Sequence, residues 1–294
     1  MQVRANGLSL EVEEHGPATG EPLLLIMGLG MQLLGWHEGL VAQLVERGFR
    51  VIRFDNRDIG LSQSFDAAGV PNLALDSLRH VLGFTVRSPY TLADMAADSV
   101  GVLDALGISR AHVCGASMGG MIAQHLAARA PDRVKSLTLM MTSSGARRLP
   151  GPTLKVRTAM ISRPPEPQTV PNIVEHYVKL YALIGSPAFP SSPEYLRDRF
   201  TTSVQRAYRP AGTARQMVAI GADGDRTPLL SAIRAPTQII HGSADPLVPA
   251  AAGGDLKARI GGAEIDLIEG MGHDLPTALW PRFVADIASA AARA

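Results

Sequence analysis

The stretch Gly115-Ala116-Ser117-Met118-Gly119-Gly120 lies between a short apolar run, 111–114, and a segment with helical character, 118–130. A serine flanked by small residues at this position is typical of a sharp turn from a strand into a helix, because glycines let the two elements approach closely. Such a turn exposes the serine hydroxyl above the sheet, and the helix N-terminus favours negative charge that develops beside it. The alternative is a glycine-rich turn with an incidental serine, but the position between strand and helix favours a nucleophile.

Strands and helices alternate along most of the chain around this turn. Short apolar runs predict buried strands at 22–26, 50–54, 134–141, 237–240 and 263–268, and helical spacing of apolar residues is found at 36–47, 92–106 and 279–292. This alternation predicts a parallel sheet with right-handed crossovers and ligands at the carboxyl ends of its strands. The first residues alternate polar and apolar side chains around Asn6-Gly7, which predicts an antiparallel hairpin rather than a signal peptide.

The alternation stops between about 145 and 225, where prolines, arginines and aromatic residues become frequent. We interpret 145–225 as an inserted helical cap and 1–144 with 226–294 as the core. The segment 63–89 is a second long excursion, and excursions of this length are often functional. Both should cover the cleft at one end of the sheet. The cap residues expected to form a pocket for the acyl or alcohol group are Met160, Tyr177, Tyr181, Leu183, Phe189 and Met217.

A nucleophilic serine needs a general base, and that base needs an acid to orient it. Asp245 follows one predicted strand, and His273 follows the next. Ser117, Asp245 and His273 come in one of the chain orders in which this catalytic triad is known to occur. We interpret Asp274, the neighbour of the base, as a local hydrogen-bond partner rather than an alternative acid. The sequence therefore predicts acyl transfer on Ser117.

At these positions the chain resembles the α/β-hydrolase superfamily, and the resemblance covers nearly all of it. Residues 55–62, DNRDIGLS, are similar to the D-x-R-x-x-G-x-S turn of the superfamily, and 27–30, MGLG, stand where many members have H-G-x-x-G. The stretches MGLGMQLLGW, DNRDIGLS and GHDLP resemble the subgroup related to aclacinomycin methylesterase. The resemblance implies a mostly parallel eight-stranded sheet with helices on both faces and an inserted helical cap.

The resemblance also implies an oxyanion hole formed by the backbone N–H groups of Leu29 and Met118. Met27 stands where the family often has a histidine that steadies this loop, and a thioether offers no comparable hydrogen bond. Another group must therefore hold the loop. The residues predicted to line the substrate pocket are Met27, Gly28, Tyr177 and Tyr181.

Several other polar residues are expected to be structural. We interpret Arg57 and Asp58 as an internal ion pair that fixes their turn, and Cys114 as a small core residue. A single cysteine excludes an intramolecular disulfide and a multi-cysteine zinc site. The sequence has no H-E-x-x-H, no G-x-G-x-x-G after its first buried strand and no Walker A lysine, so we expect neither a metal nor a cofactor. No catalytic role is assigned to His112, His125 or His241.

Composition excludes several classes of protein. Of the 294 residues, 46% are hydrophobic and 19% charged, which excludes a disordered or fibrous chain. The formal net charge of +1 makes nucleic acid an unexpected partner. No apolar run approaches the length of a membrane span, and the expected location is the cytoplasm. The expected partner is a small-molecule ester, and a homodimer is left open.

The sequence predicts a serine hydrolase that cleaves carboxylic esters of small, fairly apolar substrates. Ser117 would form the acyl-enzyme, His273 would act as general base and then acid, and Asp245 would orient it. By the resemblance, serine instead of aspartate at the turn argues against dehalogenases and epoxide hydrolases. The alternatives left open are a methylesterase, lactonase, perhydrolase or C–C hydrolase on the same triad, and a noncatalytic small-molecule receptor.

Overall fold

In a computed structural model of the chain, residues 1–81 and 84–294 are described. The strands within them are β1 (Gln2–Ala5), β2 (Leu8–His15), β3 (Glu21–Ile26), β4 (Phe49–Phe54), β5 (Ala111–Ala116), β6 (Val134–Met140), β7 (Thr237–Gly242) and β8 (Glu264–Ile268). They form one eight-stranded sheet in the order β1-β2-β4-β3-β5-β6-β7-β8. The pairs β1–β2 and β2–β4 are antiparallel, and every other neighbouring pair is parallel. The predicted α/β fold with a mostly parallel eight-stranded sheet is confirmed.

Helices follow the strands in the expected alternation. They are α1 (Glu38–Glu46), α2 (Leu73–Val81), α3 (Leu92–Ala105), α4 (Met118–Arg129), α5 (Leu154–Ile161), α6 (Val170–Ile184), α7 (Pro193–Arg206), α8 (Pro210–Asp223), α9 (Thr227–Leu230), α10 (Ala251–Arg259) and α11 (Trp280–Ala292). Helix α3 begins with a capping box, in which the Asp94 N–H donates to Thr91 Oγ1 and the Thr91 N–H donates to the Asp94 carboxylate. None of the described helices is both long enough and apolar enough to cross a bilayer.

Both faces of the sheet are buried at its centre. In β3, Leu24 and Ile26 belong to a core cluster shared with α3 and α4, whereas Leu23 and Leu25 belong to a second cluster shared with α1 and α11. Successive side chains of a strand point to opposite faces, so a strand covered on both sides must be apolar at every position. This explains the unbroken apolar run that predicted β3.

The N-terminal hairpin has the predicted two-residue turn. Ala5 pairs with Leu8 across it, and Asn6 and Gly7 both have positive φ, 48° and 78°. Positive φ at both central residues defines the type I′ turn, whose twist matches that of the strands it joins.

Helices α5 to α8 occupy the segment that the sequence interprets as a cap. Helices α6 and α7 pack together through a small apolar cluster that includes Val174, Val178 and Phe200. Helix α8 instead lies against the turn after β4, where an added Cβ at Gly212 would come within 2.1 Å of the Asp58 carbonyl oxygen. The division into a core and a cap at 145–225 stays a prediction.

Candidate active site

Ser117 lies in the turn between β5 and α4. Its φ of 55° is rare for a residue with a side chain and holds the backbone in a strained conformation. The Ser117 N–H donates to the Met140 carbonyl at 2.9 Å, and the Thr142 hydroxyl donates to the Ser117 carbonyl at 2.7 Å. The surrounding structure therefore fixes the strained turn on both sides of the serine.

Steric contacts explain why glycine occupies positions 115 and 119 on either side of this turn. A Cβ at Gly115 would come within 2.3 Å of the Gly119 carbonyl oxygen, and one at Gly119 would come within 2.0 Å of the Ile26 carbonyl oxygen. Neither position has room for a side chain, because β5, α4 and the end of β3 meet there. The G-x-S-x-G spacing thus follows from the close approach of three backbone segments.

The three residues of the predicted triad lie within hydrogen-bond distance of one another. The Ser117 Oγ is 3.0 Å from the His273 Nε2, and the His273 Nδ1 is 2.7 Å from the Asp245 Oδ2. The other carboxylate oxygen of Asp245 accepts the N–H groups of Leu247 and Val248 at 2.9 and 2.8 Å. This arrangement favours the imidazole tautomer with its proton on Nδ1, which leaves Nε2 free to accept the serine proton.

The sheet topology brings these side chains together. Ser117, Asp245 and His273 lie beyond the carboxyl ends of β5, β7 and β8, and parallel strands place those ends at one edge of the sheet. Asp245 is 5% exposed and His273 is 8% exposed, so solvent screens their interaction only weakly.

The loop that carries His273 is tied to the chain that follows α6. The His273 N–H donates to the Ile184 carbonyl at 2.7 Å, and the Gly272 N–H donates to Ser186 Oγ at 2.8 Å. Ser186 in turn donates its hydroxyl proton to the Asp274 carboxylate, whose pKa is raised by burial. Asp274 is thus a hydrogen-bond partner as predicted, but its donor is a serine that sequence reasoning missed, because 88 positions separate the two residues.

The predicted oxyanion donors lie on the loop and helix next to the serine. Met118 is the first residue of α4, so its N–H has no acceptor within the helix. Among the described residues, the Leu29 N–H donates to no protein acceptor. The adjacent Gly28 faces the serine, since a Cβ there would lie 3.1 Å from the Ser117 Cβ.

Met27 supports this loop from the core. Its carbonyl accepts the Asn56 side-chain amide at 2.9 Å, and its side chain packs so closely on Gly35 that no Cβ would fit there. The Met27 side chain is 5% exposed and belongs to the core cluster that contains Trp36. The Met27 side chain thus packs in this core, and its place in the substrate pocket stays a prediction.

Tyr177 and Tyr181 lie near the loop at 27–30, which carries the predicted oxyanion donor Leu29. Tyr177 stacks on Phe200 with ring centroids 5.3 Å apart, and Tyr181 meets Phe200 edge-on at 4.8 Å. The Tyr181 hydroxyl contacts Met31 Sδ at 3.3 Å. Burial raises the pKa of both phenols, that of Tyr177 to about 12. Tyr177 also lines a void of about 30 Å³ beside Gly30.

The predicted internal ion pair of Arg57 and Asp58 is wrong. Arg57 binds Asp98 of α3 at 2.6 Å, and Asp58 binds Arg215 of α8 at 2.7 Å and accepts the Tyr90 hydroxyl at 2.8 Å. Adjacent side chains in a turn can point in opposite directions, and here each finds a partner on a different helix. The partners are 41 and 157 positions away, so no local pattern identifies them.

The three histidines to which no catalytic role is assigned have structural partners. Burial raises the pKa of the Cys114 thiol and lowers the pKa of His112 and His241. No group of three or more His, Cys, Asp or Glu residues among 1–81 and 84–294 is arranged to hold a metal ion. The hydrogen-bonded histidine pairs are His112 with Ser136, His125 with Asp223, and His241 with the Val248 carbonyl.

Comparisons of sequence and of structure with known proteins indicate the same fold. A sequence model of the family described as alpha/beta hydrolase fold matches residues 21–276. Rhodomycin D methylesterase DnrP of Streptomyces peucetius is 29% identical, with 92% of this chain and 91% of that protein aligned. A 2-hydroxy-6-oxononadienedioate/2-hydroxy-6-oxononatrienedioate hydrolase of Burkholderia vietnamiensis is 28% identical, over 93% of this chain and 88% of the relative. A meta-cleavage product hydrolase of Pseudomonas fluorescens superposes with a TM-score of 0.76 at 20% identity, covering 100% of this chain and 97% of the other, and so shares the fold.

Proposed function

Because the chain belongs to the α/β-hydrolase family, we propose that it hydrolyses carboxylic esters of small, fairly apolar molecules through an acyl-enzyme on Ser117. The observation that carries the proposal is the hydrogen-bonded series from Ser117 Oγ through His273 to the Asp245 carboxylate, at 3.0 and 2.7 Å. A serine hydroxyl is a weak nucleophile until a base takes its proton, and this geometry supplies the base.

The proposed reaction has two steps. Ser117 Oγ attacks the ester carbonyl while His273 Nε2 takes the hydroxyl proton, and the resulting tetrahedral intermediate then expels the alcohol, which receives that proton. Water then attacks the acyl-enzyme with His273 again as base, and the intermediate collapses to release the carboxylic acid and return the proton to Ser117. Asp245 holds the imidazole in the required tautomer and stabilises its charged form.

The oxyanion of each tetrahedral intermediate would be held by the N–H groups of Leu29 and Met118. One such donor typically contributes about a hundredfold to a thousandfold in rate. Met118 adds the favourable field of the α4 N-terminus, at which negative charge is stabilised.

The comparisons support an ester substrate and leave one second candidate. Similarity to a rhodomycin D methylesterase over nearly the whole chain favours ester cleavage and, more specifically, cleavage of a methyl ester. Similarity of the same extent to a dienedioate hydrolase keeps C–C bond hydrolysis as the second candidate, since the same triad can serve both reactions.

Initial rates on p-nitrophenyl esters from acetyl to dodecanoyl, and on methyl esters followed by acid release, test the proposal. We expect turnover with a maximum at one acyl length. If the folded protein releases no nitrophenol and no acid from any ester, ester hydrolysis is wrong. Cleavage of a 2-hydroxy-6-oxodienoate by the same preparation would then favour the second candidate.

Tyr177 and Tyr181 are proposed to set the acyl preference. Replacing either with Leu removes a ring that packs on Phe200 near the loop at 27–30 and so enlarges the proposed pocket. A change of one methylene in a hydrophobic pocket alters kcat/KM by about tenfold or more. We expect the ratio of kcat/KM for octanoyl over butanoyl ester to rise by about tenfold. Tyr195→Leu is the control, because the Tyr195 ring packs on His37, with centroids 5.8 Å apart, and not on Phe200. An unchanged ratio in both variants would contradict the pocket assignment.

A further inference from the structure

The loop at 27–30 is held by a side chain from α8. Gln216 is fully buried, and its Oε1 accepts the Gly30 N–H at 2.9 Å. Its Nε2 donates to the Arg57 carbonyl, also at 2.9 Å. One amide therefore joins the loop after β3 to the turn after β4, with a donor and an acceptor both satisfied.

Helix α8 is itself fixed against these two segments. Arg215 forms a buried ion pair with Asp58, and Thr213 packs on Gly30, where an added Cβ would lie 2.8 Å from its methyl group. Gly30 has a φ of 68°, which suits the third position of a tight turn. Gln216 thus lies on a helix that an ion pair holds in place, and it contacts a loop that has no room for an added Cβ at Gly30.

The hydrogen bonds fix the orientation of the peptide that carries the Leu29 N–H. Each peptide unit is planar, so one bonded atom restrains the whole unit. The preceding peptide unit, between residues 27 and 28, is held by Asn56, whose amide donates to the Met27 carbonyl. The following unit, between residues 29 and 30, is held by Gln216, which accepts the Gly30 N–H. The peptide itself is held through the Gly28 carbonyl, which accepts the Met31 N–H at 3.3 Å. In a trans peptide the N–H points opposite to the carbonyl, so the Leu29 N–H is directed out of the turn.

We propose that Gln216 is a positioning residue for the oxyanion loop and provides the restraint that Met27 cannot. Without the Gln216 amide, the Gly30 N–H would lose its acceptor, and the Leu29 N–H would lose one of the three restraints on its direction. The inference rests on the proposed function, because an oxyanion donor matters only if Ser117 forms tetrahedral intermediates. Positioning of the donor should affect kcat more than KM, since the oxyanion exists only in the transition state and the intermediates.

Gln216→Met tests the inference, because methionine keeps the volume and removes both hydrogen bonds. We expect kcat to fall by about tenfold to a hundredfold, less than for loss of the donor itself, with KM within about threefold of wild type. A trifluoromethyl ketone, whose carbonyl Ser117 attacks to form a hemiketal oxyanion, should lose affinity by a factor similar to that in kcat/KM.

Gln124→Met is the matched control. Gln124 is also fully buried, donates to the Ser143 carbonyl at 3.1 Å and accepts from Arg226 at 3.2 Å, but it lies two turns along α4 from Ser117. Thermal unfolding should show comparable destabilisation of the two variants, and the control should keep kcat within about threefold of wild type. In a second variant, Gln216→Glu, a carboxylate oxygen can still accept the Gly30 N–H, so we expect a kcat above that of Gln216→Met.

The outcomes separate this inference from the proposed function. If wild type hydrolyses esters and folded Gln216→Met matches Gln124→Met in kcat and in inhibitor affinity, the positioning role is wrong and the proposed function is unaffected. A rise in KM with kcat unchanged would also overturn it. If wild type cleaves no ester, or Ser117→Ala cleaves it equally well, both proposals fall together.

Discussion

Ser117→Ala should lower kcat for p-nitrophenyl butyrate by about a millionfold, which is the scale found when a triad nucleophile is removed. Among residues 1–81 and 84–294, Ser117 has the only hydroxyl bonded to the His273 ring, with its Oγ 3.0 Å from Nε2. The residual rate would come from substrate binding and the oxyanion donors alone. Initial rates corrected for spontaneous hydrolysis measure the effect.

Ser136→Ala is the control for this prediction. Ser136 is buried and bonded to His112 at 2.8 Å, so its loss removes a buried serine hydroxyl without touching the predicted triad. Circular dichroism and thermal unfolding should show both variants folded. A folded Ser117→Ala enzyme that keeps more than about one per cent of the wild-type rate would rule out Ser117 as the nucleophile.

Asp245→Asn should lower kcat by about ten thousandfold while the fold is kept. The Asp245 Oδ1 accepts two backbone N–H groups, from Leu247 and Val248, so the amide oxygen of asparagine will occupy that position. Its NH₂ group then faces His273 Nδ1 and donates to it. The imidazole must carry its proton on Nε2, where it cannot accept a proton from Ser117.

The control for Asp245→Asn is Asp274→Asn, made at the carboxylate next to the base. Asp274 accepts from Ser186 and shows no hydrogen bond to the His273 ring. We expect its replacement to change kcat by less than about tenfold, measured on the same ester. A larger loss in Asp274→Asn than in Asp245→Asn would reverse the assignment of the acid.

Much of the site can be predicted from sequence because its signals are local. The glycines around Ser117 mark a place where backbones meet, and the apolar run at 22–26 marks a strand buried on both faces. Asp245 and His273 each follow a predicted strand, and parallel strands end at one edge of the sheet, so the sequence places both residues at the same edge as Ser117. The Asn6-Gly7 turn is equally local, because only two residues determine it.

The supports of the site could not be predicted, because their partners are far apart in the chain. Gln216 reaches Gly30 across 186 positions, and Ser186 reaches Asp274 across 88. The composition of 145–225 indicates helices but not which side chains reach the core. The error at Arg57 and Asp58 has the same origin, since nearness in sequence indicated a pair and the fold placed each side chain against a different helix.

The central claim is that Ser117 carries the acyl group, and mass spectrometry of the quenched enzyme tests it most directly. The enzyme would be mixed with excess p-nitrophenyl butyrate, stopped with acid during turnover, digested and mapped. The account predicts a butanoyl group on the peptide containing Ser117, absent from Ser117→Ala treated in the same way. A butanoyl group on another residue during active turnover, with the Ser117 peptide unmodified, would contradict it.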